Sequence, residues 1–261
     1  MGYTFISGAT GGIGKAFVFE CAKLGYNLFL TGRSIERLSA LKGEIEKDYG
    51  VFVRVFACDL TDSDQRLNLF NDAKNSGITF DRIINVAGVD TQKAFCEYTR
   101  EKILFQLRVN IEATTDLTYL LLKIREPDCE VITISSMSGQ TAMPYFALYS
   151  ASKDYLTNLF TSLHYELKSE GVKVTVVIPG GVPTRADIID EIKSQGVWGK
   201  LSVKTPEFVA KKSLKAVKKN KLKYIPGFFN KFLNLMMRFA PKRIVYRFIA
   251  RRWKTHTKDA F

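Results

Sequence analysis

Apolar positions along this chain follow two alternating rhythms. Short β-rich runs lie at Tyr3–Ser7, Tyr26–Thr31, Val51–Ala57, Arg82–Val86, Glu130–Ser135, Val172–Ile178 and Leu222–Ile225. Several of them, such as Val174–Ile178, are nearly continuous apolar runs, the pattern of strands buried on both faces. Longer amphipathic stretches separate them, including Glu112–Arg125 and Tyr149–Ser169. Strand and helix taken in turn predict an α/β chain: a Rossmann-type, doubly wound parallel sheet of about seven strands, flanked by helices. No repeat, low-complexity tract or linker divides it, so residues 1–227 read as one domain carrying both cofactor and substrate sites. Beyond Gly227 the rhythm is helical only. In Phe228–Ala240, Asn230, Lys231, Asn234 and Arg238 make a polar stripe. After Pro241, Arg243, Arg247 and Arg251 recur every four residues, opposite Ile244, Val245, Phe248 and Ile249. Residues 228–261 therefore predict a C-terminal extension of two amphipathic helices joined at Pro241.

Composition adds little until charge is located. Apolar residues are 46% and charged residues 25% of 261, which is ordinary for a globular chain with ample core. The net charge of +13 is unevenly placed. Residues 1–210 hold 23 basic and 25 acidic residues, whereas residues 211–261 hold 16 basic residues against Asp259 alone. The body is nearly neutral and the tail is basic. Cys21, Cys58, Cys96 and Cys129 form no C-x-x-C pair, so reduced thiols in a cytoplasmic protein are expected, with no zinc site. His164 and His256 lack ligand-like neighbours, which excludes a histidine metal site or a Ser-His-Asp triad; His164 reads as structural. The first strand follows the initiator at once and no apolar run approaches membrane-spanning length, so neither signal segment nor transmembrane helix is expected.

The first chemistry-bearing segment follows the first strand: Ser7-Gly8-Ala9-Thr10-Gly11-Gly12-Ile13-Gly14-Lys15, opening a helix. A turn needing unusual φ, with backbone close to a pyrophosphate, requires glycine, and a helix N-terminus favours the negative charge. The spacing of Gly8, Gly12 and Gly14 is G-x-x-x-G-x-G, with Phe17 in the slot where the dinucleotide fingerprint places its last glycine. At the tip of the second strand stand Arg33 and Ser34, with no acid. An acid there would receive a ribose 2′-hydroxyl; a guanidinium, with a hydroxyl beside it, suits the 2′-phosphate of NADP(H).

Taken in order, these motifs resemble the short-chain dehydrogenase/reductase family from about Gly2 to Thr184. Asp59-Leu60 resembles the family's adenine-contacting pair. Asn85-Val86-Ala87-Gly88 resembles its N-N-A-G stretch with Val86 in place of the second Asn. Pro179-Gly180-Gly181-Val182-Pro183-Thr184 looks like P-G-x-x-x-T, which implies that Val182 and Thr184 hold the nicotinamide carboxamide. Ser136, thirteen residues before Tyr149, resembles the catalytic serine that precedes Y-x-x-x-K, and Ser135 and Ser138 are the other hydroxyls nearby. Tyr149 and Lys153, four apart, share one helical face. A phenol with an ordinary pKa of about 10 is a poor proton carrier near neutrality, and an adjacent ammonium lowers that value. The resemblance implies Tyr149 as general acid/base and Ser136 as hydrogen-bond donor to the reacting oxygen. It implies Lys153 on the nicotinamide ribose, and Asn110 holding a water that relays protons.

Specificity in such a fold comes from the rim beyond the strand ends. Val89–Thr99, Gly139–Leu148 and Ala186–Leu201 bring Phe95, Met143, Tyr145, Phe146, Ile188, Ile189 and Trp198 there. A hydrophobic carbonyl or secondary alcohol, steroid-, acyl- or lipid-like, is the expected substrate. The resemblance implies a homodimer or homotetramer, through the helices at Glu112–Arg125 and Tyr149–Ser169. The tail helices suit packing on the body, roofing the substrate cleft or joining subunits, and their bases with Phe and Trp253 suggest peripheral membrane contact. An alternative is a non-catalytic NADP(H)-binding sensor or scaffold, against which the complete set Asn110, Ser136, Tyr149 and Lys153 stands. No nucleic-acid partner is expected, since the tail's bases accompany apolar helix faces with neither zinc spacing nor an aromatic sheet motif.

Overall fold

The computed structural model describes residues 2–184 and 201–254. Seven strands form one parallel sheet in the order β3-β2-β1-β4-β5-β6-β7. They are β1 (Tyr3–Ser7), β2 (Asn27–Gly32), β3 (Val53–Ala57), β4 (Phe80–Asn85), β5 (Arg125–Ile134), β6 (Lys173–Val177) and β7 (Lys223–Tyr224). The expected doubly wound α/β architecture is what the chain adopts. Strand order reverses between β1 and β4, where a crevice opens beyond the strand ends.

Side chains alternate across the sheet and fill two cores. On one face Ile6, Leu28, Leu30, Ile84 and Ile132 meet Phe17 and Cys21 of α1 (Gly12–Ala22), Leu38 and Ile45 of α2 (Ile35–Tyr49), and Val209 and Leu214 of α7 (Pro206–Lys218). On the other, Phe5, Phe29 and Phe80 cluster edge to face beneath Leu69 of α3 (Ser63–Asn75), Leu117 of α5 (Ala113–Leu122) and Phe160 of α6 (Ala147–Glu166). Each buried Phe contributes about 1.5–3 kcal/mol, so this cluster holds β1 and β4 rigidly where the crevice opens. Arg82 of β4 is buried, but its guanidinium donates to Glu130 and to Thr4 Oγ1, so the charge is paired rather than stranded.

Three boundaries differ from the sequence reading. The helix expected at Glu112–Arg125 ends at Leu122, and β5 already begins at Arg125, ahead of the exposed Pro127-Asp128 step. The polar opening of that strand hides it from an apolar-run reading. The helix expected at Tyr149–Ser169 is Ala147–Glu166, followed by a 3₁₀ turn at Lys168–Glu170. Between α4 (Arg100–Leu107) and α5 the chain makes a π-helical turn, Arg108–Glu112, and Asn110 sits in it. Such turns concentrate at functional sites.

After β7, α8 (Phe228–Phe239) and α9 (Lys242–Trp253) lie over the sheet's C-terminal end, as the two amphipathic patterns predict. Their faces are not those expected. Asn230, placed on the polar stripe, is buried, and its amide donates to the carbonyls of Ser202 and Pro226. On α9 the inner positions are Ile249 and Trp253, while Ile244 and Phe248 stay exposed beside the arginines.

Candidate active site

The glycine loop has the geometry of a cradle. Gly8 adopts φ +64, and a Cβ there would press on the Ala87 backbone at 3.1 Å. A Cβ on Gly14 would fall 2.0 Å from the Gly8 carbonyl oxygen, and one on Gly12 would strike Thr184 at 2.6 Å. Only backbone fits, so the α1 N-terminus lies open to a bulky anionic group. Ser7, which sequence reasoning passed over, ties the two strands of the crevice together: its hydroxyl accepts from the amides of Val86 and Ala87.

Two adjoining cavities occupy the crevice. The first, of about 460 Å³, brings together Gly8, Thr10, Gly11, Gly12, Ile13 and Gly14 with Arg33, Asp59, Leu60, Ala87, Gly88 and Thr184. The second, of about 430 Å³, is bounded by Ser136, Tyr149, Lys153, Pro179, Gly180 and Val182. Ile13, Val86, Gly88, Val89 and Thr184 line both, so the two form one continuous cleft. Seventeen of the nineteen expected cofactor positions thus face one space. The Asp59-Leu60 turn is held from behind by Arg66, whose buried guanidinium donates to the Leu60 carbonyl and pairs with Glu112 and Asp116.

Two expected positions do other work. The Ser34 hydroxyl caps α2, accepting from the Arg37 amide and donating to Glu36, and does not line the cavity. Arg37 does line it, beside Arg33, with its guanidinium on the Thr10 carbonyl. It stands four residues past Arg33, on the first turn of α2, a signal available in the sequence but not used. Asn85 is buried beneath the cleft, donating to Thr118 and Thr133 hydroxyls, and so braces β4 against β5 and α5.

The four residues expected to handle protons come from three elements. Tyr149 stands on the first turn of α6, with the Lys153 ammonium nitrogen 5.7 Å from its ring centre. Lys153 is buried, donates to the Ile134 carbonyl at 3.0 Å, and has its pKa lowered to about 8 by burial, partly offset by the Asp90 carboxylate. Ser136 lines the same cavity and caps the 3₁₀ turn Met137–Gln140, accepting from the Ser138 amide. That turn sits tightly on α6 because residue 139 is glycine: a Cβ there would lie 2.7 Å from the Lys153 backbone. Ser138 also lines the cavity, whereas the Ser135 hydroxyl is consumed by the Lys153 carbonyl and Thr157. Asn110 is fully buried behind the cleft. Its side chain clamps Val89 at both amide and carbonyl and donates to Ser152, so it fixes the Gly88–Val89 backbone against α6.

Of the expected rim residues, Met143 and Phe146 line the cavity. Phe95 is exposed on a 3₁₀ turn and Tyr145 adopts φ +64, and neither lines it. Ile188, Ile189 and Trp198 lie outside the described residues, as does His256. Of the roles open to the tail helices, the structure shows them roofing the cleft. Leu233, Met237, Ile249 and Trp253 roof the cavity, and Trp253 stacks on Phe146, which stacks on Tyr149 (centroids 6.0 and 4.6 Å). Asn230 packs where a Cβ on Gly180 would stand, at 2.9 Å.

Comparison with known proteins places the chain in a family. The family model for short chain dehydrogenase matches residues 3–192. The chain belongs to the short chain dehydrogenase family. It is 30% identical over 197 residues to the very-long-chain 3-oxoacyl-CoA reductase of Anas platyrhynchos, covering 72% of this chain and 62% of that protein. It is 30% identical over 186 residues to human 17-beta-hydroxysteroid dehydrogenase type 3, covering 70% and 59%. The chain therefore spans about three fifths of the length of these relatives. Among solved structures, one from a study of 7beta-hydroxysteroid dehydrogenase stereoselectivity superposes with a TM-score of 0.86 at 25% identity, covering 95% of this chain and 96% of that one. A short-chain dehydrogenase from Sphingobium yanoikuyae in complex with NADPH shares the fold, with a TM-score of 0.75 at 22% identity over 93% and 97%. Among the described residues no His, Cys, Asp and Glu cluster suits a metal ion, and no helix is long and apolar enough to cross a membrane.

Proposed function

We propose that this protein is an NADP(H)-dependent reductase/dehydrogenase that interconverts an apolar ketone and its secondary alcohol. The observation that carries the reading is a single cleft with a backbone-only anion cradle at one end and Ser136, Tyr149 and Lys153 at the other. The glycine loop, Asp59-Leu60 and the Pro179–Thr184 segment would hold a dinucleotide, and Arg33 with Arg37 would face its 2′-phosphate. When bound, the nicotinamide supplies or accepts a hydride at the carbonyl carbon. Tyr149 donates its phenolic proton to the developing alkoxide in the reductive direction and takes it back in the other. Ser136 donates a hydrogen bond to the same oxygen and holds it in reach of Tyr149. Lys153, as a cation, makes that phenol a stronger acid.

The substrate reading draws on the cavity and on the relatives. Met143, Phe146, Leu233, Met237 and Trp253 give the cavity an apolar wall, and the relatives are named for acyl-CoA and steroid substrates. The test is NADPH oxidation against a panel of steroid, acyl and quinone carbonyls. Turnover of apolar ketones is expected, falling about 10²–10⁴-fold in Tyr149→Phe. A relative named inactive hydroxysteroid dehydrogenase-like protein 1, 31% identical over 189 residues, keeps the sensor or scaffold reading in view. NADPH binding without turnover across that panel would replace the enzyme with it. Free thiols at Cys21, Cys58, Cys96 and Cys129 accord with a reducing, cytoplasmic setting.

A further inference from the structure

The two tail helices have an inner and an outer face, and only the inner one is accounted for by the cavity. On the outer face of α8, Phe228, Phe232, Leu235, Met236 and Phe239 are exposed, Phe228 by 85% and Phe239 by 77%. They recur at three- and four-residue intervals, which makes one continuous stripe. On α9, Ile244 and Phe248, four residues apart, are exposed as well, by 66% and 69%. Isolated exposed apolar residues need no explanation, but seven large ones on two successive helices do.

Charge decides what covers them. Between residues 228 and 253 there are seven Lys and Arg and no acidic residue. Lys231 borders the α8 stripe, and Arg243, Arg247 and Arg251 border Ile244 and Phe248; all four are exposed. A second copy of this chain seated face to face would bring like charges together around the apolar stripe. A sheet of anionic headgroups over acyl chains meets both requirements: bases at the headgroups, aromatic and aliphatic side chains just beneath.

We infer that α8 and α9 form a monotopic docking face for an anionic lipid bilayer. The chain then lies on the membrane rather than across it. Because Leu233, Met237, Ile249 and Trp253 occupy the opposite side of the same helices, the cavity is separated from the bilayer by one helical layer. For an enzyme of apolar ketones, the reading on which this last step rests, the roof of the site faces the phase in which its substrate is dissolved.

The experiment measures binding, not turnover, so it is independent of whether the enzymatic reading holds. The full chain with NADPH is floated with vesicles of phosphatidylcholine alone or with phosphatidylserine added. At least tenfold stronger partitioning onto the anionic vesicles is expected, falling when salt is raised. The variant Phe228→Ser/Phe239→Ser/Phe248→Ser, checked for an unchanged melting curve, is expected to lose binding at least tenfold. Arg243→Gln/Arg247→Gln/Arg251→Gln is expected to lose the preference for anionic vesicles. Absence of binding by the parent chain, equal binding to both vesicle types, or unaltered binding by the Phe variant would overturn the proposal. So would a dimer that dissociates on the Phe substitutions, since it would show a second copy covering the face.

Discussion

At Lys153, position and burial pull against each other. In the proposed mechanism its ammonium must be charged to acidify Tyr149, yet burial lowers its pKa from the ordinary 10.5 to about 8. Below about pH 8 the group is protonated in the folded protein; above it the charge is lost while an unfolded chain would still hold the proton. Its contribution to stability is thus least favourable below pH 8 and improves as pH rises toward 10.5. Activity runs the other way. For carbonyl reduction, kcat/KM is expected to fall above about pH 8 as Lys153 deprotonates and Tyr149 becomes a weaker acid; a flat profile from pH 7 to 9.5 would contradict this. The proposed preference for NADP(H) is tested at the same scale. Arg37 is already oriented by the Thr10 carbonyl, so Arg37→Ala removes a preorganised charge-assisted donor worth about 1.5–3 kcal/mol. NADPH affinity, read by fluorescence titration, is expected to weaken about 10–100-fold, with NADH affinity little changed.

Elements differ in how openly the sequence announces them. Most of the strands were legible because both faces are buried, so runs such as Val174–Ile178 are nearly all apolar, and glycine spacing marked the cradle because only backbone fits there. The π-helical turn at Arg108–Glu112 left no periodic trace, being one extra residue in an otherwise helical stretch. Arg37 went unread because a helical position four residues past a recognised arginine looks like any solvated side chain. The tail helices were legible as amphipathic, but which face turns inward is a tertiary decision: Asn230 is drawn in by the carbonyls of Ser202 and Pro226, and Ile244 is left out. That decision makes α9 part of the cavity wall. Trp253→Ala is expected to raise KM for a bulky apolar ketone about tenfold with a smaller change in kcat. Trp253→Phe should recover most of the loss, because its ring can still stack on Phe146. Equal kinetics for all three would show that the tail does not shape the site.

Taken whole, the molecule divides by region: a nearly neutral body holds the cleft and a basic tail closes one side of it. The outer faces of α5 and α6 expose Tyr119 and Tyr155, and the Tyr155 hydroxyl meets Thr115 across the two helices. A homodimer through that face is our expectation, tested by sedimentation velocity: the parent chain should run at twice the chain mass, and Tyr119→Arg/Tyr155→Arg at the single-chain mass with NADPH binding retained. The ring ladder from Trp253 through Phe146 to Tyr149 also gives this molecule an optical handle. Indole emission overlaps the near-ultraviolet absorption of a reduced nicotinamide, and the chain has only two tryptophans. With Trp198 replaced by Phe, the remaining indole becomes an energy-transfer donor at the mouth of the cleft. Its quenching by NADPH then reports, in one cuvette and without any substrate, whether the tail is seated over the site.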